Sequence, residues 1–161
     1  MWLKVCKNAQ IYIFGLVYHP PKPIYDSHDF TVKLFNDIDE LSCIFPQAIF
    51  YITGDFNRLD ITKQSIDAGL TQIVQSTTHG RHILDLFLTN RDDITSCTVV
   101  KSCLNTDHLA LTVNCVTSRS ILCDHDRTTR RQIQFYDIRK CFIDKLGKLS
   151  MNLTGQVLQI V

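Results

Sequence analysis

Glutamate is almost missing from this chain: Glu40 is the only one among 16 acidic residues. Carboxylate chemistry anywhere else must therefore come from aspartate. The seven cysteines, at positions 6, 43, 97, 103, 115, 123 and 141, include no Cys-x-x-Cys pair and no zinc-type spacing, which argues against a thiolate metal site or a dithiol redox motif. Their number is odd and several sit inside apolar runs, so they read as reduced thiols acting as small hydrophobes. That usage predicts an intracellular protein, nuclear or cytoplasmic. No apolar stretch approaches the length of a membrane span, which predicts no membrane partner. Lys4 and Lys7 ahead of residues 11–17 imitate a signal peptide only faintly, because the apolar run is short and ends at Tyr18-His19-Pro20-Pro21 without a small-residue cleavage site. Internal repeats and low-complexity tracts are also lacking.

A composition of 45% hydrophobic and 20% charged residues in 161 suits one globular domain with a real core. The net charge of +1 is unevenly divided: residues 1–118 hold 9 Lys/Arg against 12 Asp/Glu, and residues 119–161 hold 8 against 4. A basic tail suits a polyanion or a solvated helix face. The predicted division is a body over 1–118 and a basic linker and helix over 119–161.

Along the chain, residues 11–18 read as a strand of continuous apolar character, buried on both faces. Pro20, Pro21 and Pro23 end it. Ser27 is the expected cap of a helix starting near His28, with Phe30, Leu34, Ile38, Leu41 and Phe45 as its core-facing stripe. Residues 48–53 return as a strand, and this strand–helix–strand unit predicts an α/β fold. A short helix from Thr62 to Asp67 with Gly69 as its stop follows, then strand candidates at 70–74, 83–89, 98–100 and 109–113. Residues 118–131 read as a linker and 136–149 as a helix.

The stretch 48–57 is the centre of this pattern. A buried strand stops at Gly54 and presents Asp55 and Asn57, which share a face if the chain stays extended. The carboxyl end of such a strand is where α/β proteins usually bind ligands. The plain alternative is a strand followed by a turn. Downstream, Asp85 interrupts an apolar strand, where an uncompensated carboxylate is costly. Asp107-His108 opens the 109–113 strand. An oxygen-rich set of this kind suits Mg²⁺, and with an imidazole it suits metal-assisted attack of water on a phosphodiester. The other histidines (19, 28, 79, 82 and 125) read as loop or surface residues.

Gly54-Asp55-Phe56-Asn57, Leu84-Asp85-Leu86-Phe87-Leu88-Thr89 and Thr106-Asp107-His108 occur in an order that resembles the endonuclease/exonuclease/phosphatase superfamily. Tyr18 with Pro20 is similar to its tyrosine–proline motif. With Thr77-Thr78-His79 added, the chain looks most like the endonuclease domain of non-LTR (LINE-type) retrotransposons. The segment from Arg130-Arg131-Gln132 through Tyr136-Asp137-Ile138-Arg139-Lys140 resembles the link from that nuclease to reverse transcriptase. The resemblance spans residues 11–115, with weaker support beyond. It implies the C-terminal part of a four-layer α/β sandwich and a Mg²⁺ (or Mn²⁺) cofactor. Its implied partners are DNA and, in a full-length element, a reverse transcriptase domain.

Residue by residue, the resemblance implies that Asp55 orients or deprotonates the attacking water and Asn57 holds the water or a phosphate oxygen. Asp107 helps bind the metal, and His108 hydrogen-bonds the scissile phosphate. Asp85 orients His108, and Tyr18 contacts the phosphate. Thr106 replaces the family's usual serine and keeps the hydroxyl. His79, Arg58 and Arg81 are candidates for contacts with a nucleic acid backbone. The family's early strands also carry a metal-binding glutamate, whereas Glu40 lies in the helix pattern after Tyr18. The expectation is therefore a domain truncated at its N-terminus, with impaired DNA nicking and an open strand edge. Two alternatives stand beside it: an inactive remnant that binds nucleic acid or a partner protein, and a phosphatase acting on another phosphate ester such as a phosphoinositide.

Overall fold

The computed structural model describes residues 1–7, 9–92, 94–115, 150–151 and 158–160. It is mixed α/β, and the chain divides into two compact units, Met1–Asp92 and Asp93–Val161.

The first unit holds five strands and two helices: β1 (Trp2–Lys7), β2 (Gln10–Tyr18), α1 (Ser27–Ile44), β3 (Ile49–Asp55), α2 (Thr62–Asp67), β4 (Thr71–Gln72) and β5 (Asp85–Thr89). The sheet order is β1-β2-β3-β5-β4; β2 and β3 run parallel and the other pairs antiparallel. The parallel pair is what the crossover helix α1 permits, because parallel neighbours cannot be joined by a tight turn.

One face of this sheet is the core. Ile13 and Val17 of β2, Phe50 and Ile52 of β3 and Leu88 of β5 pack with Leu34, Phe35 and Ile38 of α1. Phe56, Ile61 and Leu70 extend the cluster beneath the loops that follow β3. The expected stripe on α1 is present, with Leu34 and Ile38 buried and Phe30, Leu41 and Phe45 half-buried at its rim. β2 differs from expectation. Its residues alternate between buried (13, 15, 17) and half-buried (12, 14, 16, 18) positions, so it is not sealed on both faces. Its second face carries aromatics, with Tyr12 and Phe14 against Tyr51, and Tyr51 against Phe87.

Two local readings are also corrected. The cap of α1 is Asp26, whose Oδ1 accepts from the His28 and Asp29 amides at 2.7 and 3.2 Å, and Ser27 is the first helical residue. Aspartate serves this position as well as serine does. The N-terminal residues, for which no strand was expected, form β1 and cover the edge of β2 that was expected to lie open. Gly15 makes room for this: a Cβ there would lie 2.5 Å from the Trp2 indole. That indole donates to Asp37 of α1 at 3.2 Å, tying β1 to the helix.

Cys6, Cys43 and Cys103 are exposed free thiols rather than small core hydrophobes, and Cys97 is half-buried, which pushes its thiol pKa up. The second unit forms a four-stranded antiparallel sheet of order β6-β7-β9-β8, from β6 (Ile94–Val100), β7 (Ala110–Cys115), β8 (Ser150–Met151) and β9 (Leu158–Ile160). The expected linker over 118–131 and helix over 136–149 lie outside the described residues. Among the described residues no helix is long and apolar enough to cross a membrane.

Candidate active site

The parallel strands β2 and β3 end side by side at Tyr18 and Asp55, which are register partners, and Asp55 is in turn the partner of Asp85 at the start of β5. Partners in a ladder point to the same face. Tyr18, Asp55 and Asp85 therefore form one row across three adjacent strands, all half-buried, on the face opposite α1. The sequence supplied these residues from three separated segments, and strand pairing brings them together.

Gly54 shows why this end of β3 reads as it does. Its φ is +143°, and a Cβ would land on the carbonyl oxygen of Val17, its register partner on β2. No side chain fits so close an approach of two backbones, and an L-residue would also be strained at that φ. Glycine here lets the two strand ends converge beside the row.

Asn57 departs from the expectation of continued extended geometry. The strand ends at Asp55, Phe56 turns fully into the core, and Asn57 adopts a left-handed φ of +49°. Asparagine tolerates this conformation better than most residues. Asp55 Oδ1 accepts from the Asn57 amide at 2.9 Å, an Asx-turn, and Asn57 Nδ2 donates to the His19 carbonyl at 2.6 Å. Asn57 thus stays next to Asp55 through a turn, and its carboxamide clasps the end of β2.

His19, read as a loop or surface residue, lies in the loop after β2 but is buried there. It is 5% exposed. Its amide donates to the Asp55 carbonyl at 2.8 Å, its Nε2 shares a hydrogen bond with Ser27 Oγ at 3.1 Å, and its ring packs against Tyr25 and Phe30. Burial lowers its pKa, and the negative charge of Asp55 partly opposes that. Its Nδ1 is buried without a hydrogen-bond partner among the described residues. The available signal was its position between a strand and a run of prolines.

Asp85 is placed by Thr78. This threonine is fully buried, and its Oγ1 accepts from the amides of both Leu84 and Asp85 at 3.0 Å. The tight turn behind it is closed by paired backbone bonds between His79 and His82. His79 is half-buried in that turn, Arg81 is exposed in it, and Arg58 is exposed just after Asn57.

In the second unit, Asp107 is exposed and His108 half-buried, in the loop before β7. The His108 amide donates to Thr106 Oγ1 at 3.2 Å, a role a serine would also fill. Asp107 and His108 bring a carboxylate oxygen and an imidazole nitrogen within 4.8 Å of each other. That is a donor pair able to contribute to a divalent metal site.

Comparison with protein-family models, with curated proteins and with solved structures finds no match.

Proposed function

We propose that the chain is a Mg²⁺-dependent phosphodiesterase that nicks DNA, built on the C-terminal part of the endonuclease/exonuclease/phosphatase sandwich and related to retrotransposon endonucleases. The observation that carries this reading is the row Tyr18–Asp55–Asp85 at the carboxyl ends of β2 and β3, with Asn57 bonded beside it. A phenol, two carboxylates and a carboxamide at that end of a sheet are the groups needed to hold a phosphate and activate a water.

Oxygen donors suit a hard cation, and Asp107 is the residue that would help hold it. Bound Mg²⁺ supplies charge stabilisation for the phosphoryl oxygens. The protein's own groups do the rest. Asp55 accepts the proton of the attacking water, while Asn57 orients that water or the phosphate oxygen beside it. His108 donates a hydrogen bond to the phosphate as negative charge develops there. Asp85 stands beside Asp55 in the row and adds a second carboxylate there. Tyr18 contacts the phosphate, and Arg58, Arg81 and His79 contribute backbone contacts to the nucleic acid.

A second reading is favoured by Glu40. The only glutamate of this sequence lies exposed on α1, on the side of the sheet away from the row, and does not join these aspartates as a metal ligand. A weakly held metal would leave a protein that binds nucleic acid without cutting it. A plasmid-nicking assay with Mg²⁺, beside an Asp107→Ala variant and an EDTA blank, decides between the two. Nicking abolished in both controls supports the enzyme. Salt-sensitive DNA binding with no nicking supports the binding protein, and neither binding nor nicking overturns both.

A further inference from the structure

We propose that Tyr25 is a stacking platform for an unpaired base of the substrate, so that the site takes a nucleic acid strand with an unstacked base next to the phosphate it holds. This rests on the reading of the Tyr18–Asp55–Asp85 row as a phosphate site.

Tyr25 lies in the loop between β2 and α1, at the carboxyl end of the parallel pair. Tyr25 is 40% exposed, yet its ring is packed on two others. Phe30 stacks on it at 5.4 Å between centroids and 25° between planes, and His19 meets it edge-on at 5.8 Å and 76°. His19 and Phe30 also touch each other, at 5.5 Å. Three rings in mutual contact fix the orientation of the outermost one, which lowers the entropy cost of stacking something on it.

The platform is joined to the row. His19, which supports Tyr25, donates its amide to the Asp55 carbonyl and accepts from Asn57 through its own carbonyl. The hydroxyl of Tyr25 also senses Tyr18: burial raises its pKa, and the neighbouring Tyr18 adds to that. The carboxyl end of β2 thus carries both Tyr18 and, through His19, the ring of Tyr25. The rest of the loop suits a nucleic acid strand. Ile24 is fully exposed, an apolar tip next to the ring, and Lys22 is an exposed cation for the strand's backbone. Base–aromatic stacking is tolerant of sequence, because every base offers a π face. A phosphoinositide headgroup is a saturated ring with no π face to stack, so base-dependent binding also separates the two substrate classes.

The test is fluorescence anisotropy of the full chain in EDTA, where no hydrolysis occurs, with a labelled oligothymidylate and an abasic strand of equal length. The wild-type protein is expected to bind the oligothymidylate roughly tenfold more tightly. Tyr25→Ala removes that preference, and Tyr25→Phe, which keeps the ring, retains it. Circular dichroism of each variant checks the fold. Equal affinity of the wild-type protein for both strands, or binding to neither, overturns the proposal, as does a Tyr25→Ala protein that keeps the preference. Nicking is scored separately. Base-dependent binding without nicking leaves the platform standing and removes the enzyme; nicking without base dependence does the reverse.

Discussion

Asp55 and Asp85 stand directly opposite each other, as register partners on the antiparallel strands β3 and β5. Like charges so placed work against strand pairing, by a few tenths of a kcal/mol to about 1 kcal/mol. Their retention together is intelligible if the row serves chemistry. Asp55→Asn is expected to reduce nicking about 100-fold or more, the usual worth of a general base, while changing unfolding free energy by no more than about 1 kcal/mol. Plasmid nicking and urea denaturation on the same preparations check both halves.

Gly54→Ala should be among the most damaging single-methyl additions in the chain. The new carbon collides with the Val17 carbonyl oxygen at a φ of +143°. A loss of about 3 kcal/mol or more is expected, since steric overlap and backbone strain act together. Thermal and urea unfolding give the value, and a loss below about 1 kcal/mol contradicts the close approach of β2 and β3.

Thr78→Val keeps the shape of a buried side chain and removes the hydroxyl that accepts from the Leu84 and Asp85 amides. Leaving buried donors without an acceptor costs about 1–3 kcal/mol. Thr78→Ser keeps the acceptor and should recover most of the loss. The comparison of the two variants by urea denaturation isolates the hydrogen bonds from the packing.

The hairpin between β1 and β2 offers a stabilising change. Ala9 sits at a φ of +63°, a left-handed conformation that favours glycine. Ala9→Gly is expected to raise stability by about 1 kcal/mol, a small upward shift of the thermal midpoint.

His19 makes stability depend on pH with a definite sign. Its pKa is lowered in the folded protein, so the unfolded chain binds the proton more readily. The contribution is fully present above the ordinary histidine pKa of about 6.5 and is lost as pH falls from there toward the lower folded value. His19→Phe should flatten that part of the stability–pH curve, as measured by urea denaturation at a series of pH values.

Much of this architecture was legible in the chain. Hydrophobic periodicity located α1, and the run of β-branched and aromatic residues at 49–52 located β3, because both patterns report burial. Asp85 stood out because a carboxylate between leucines contradicts the pattern around it. The fate of Asn57 was not legible: whether a chain stays extended after its last strand residue depends on a left-handed turn that Asp55 and the His19 carbonyl stabilise from outside the local sequence. The burial of His19 was not legible for a related reason. It comes from Tyr25 and Phe30, which reach the histidine only after α1 has packed on the sheet. β1 was missed because a mixed run such as Trp2-Leu3-Lys4-Val5-Cys6-Lys7 becomes a strand chiefly through the partner it finds in β2.

The parallel pairing of β2 with β3 also has a bearing on the time course of folding. The β1–β2 hairpin needs only a tight turn, and such turns close in microseconds. Tyr18 and Asp55 become neighbours only after the whole α1 crossover has been closed, and Asp85 joins them through another long connection. Non-local pairings of this kind are the slow steps. The acidic row is therefore one of the last features to appear as the chain folds. A newly made molecule has its first hairpin well before it has this row.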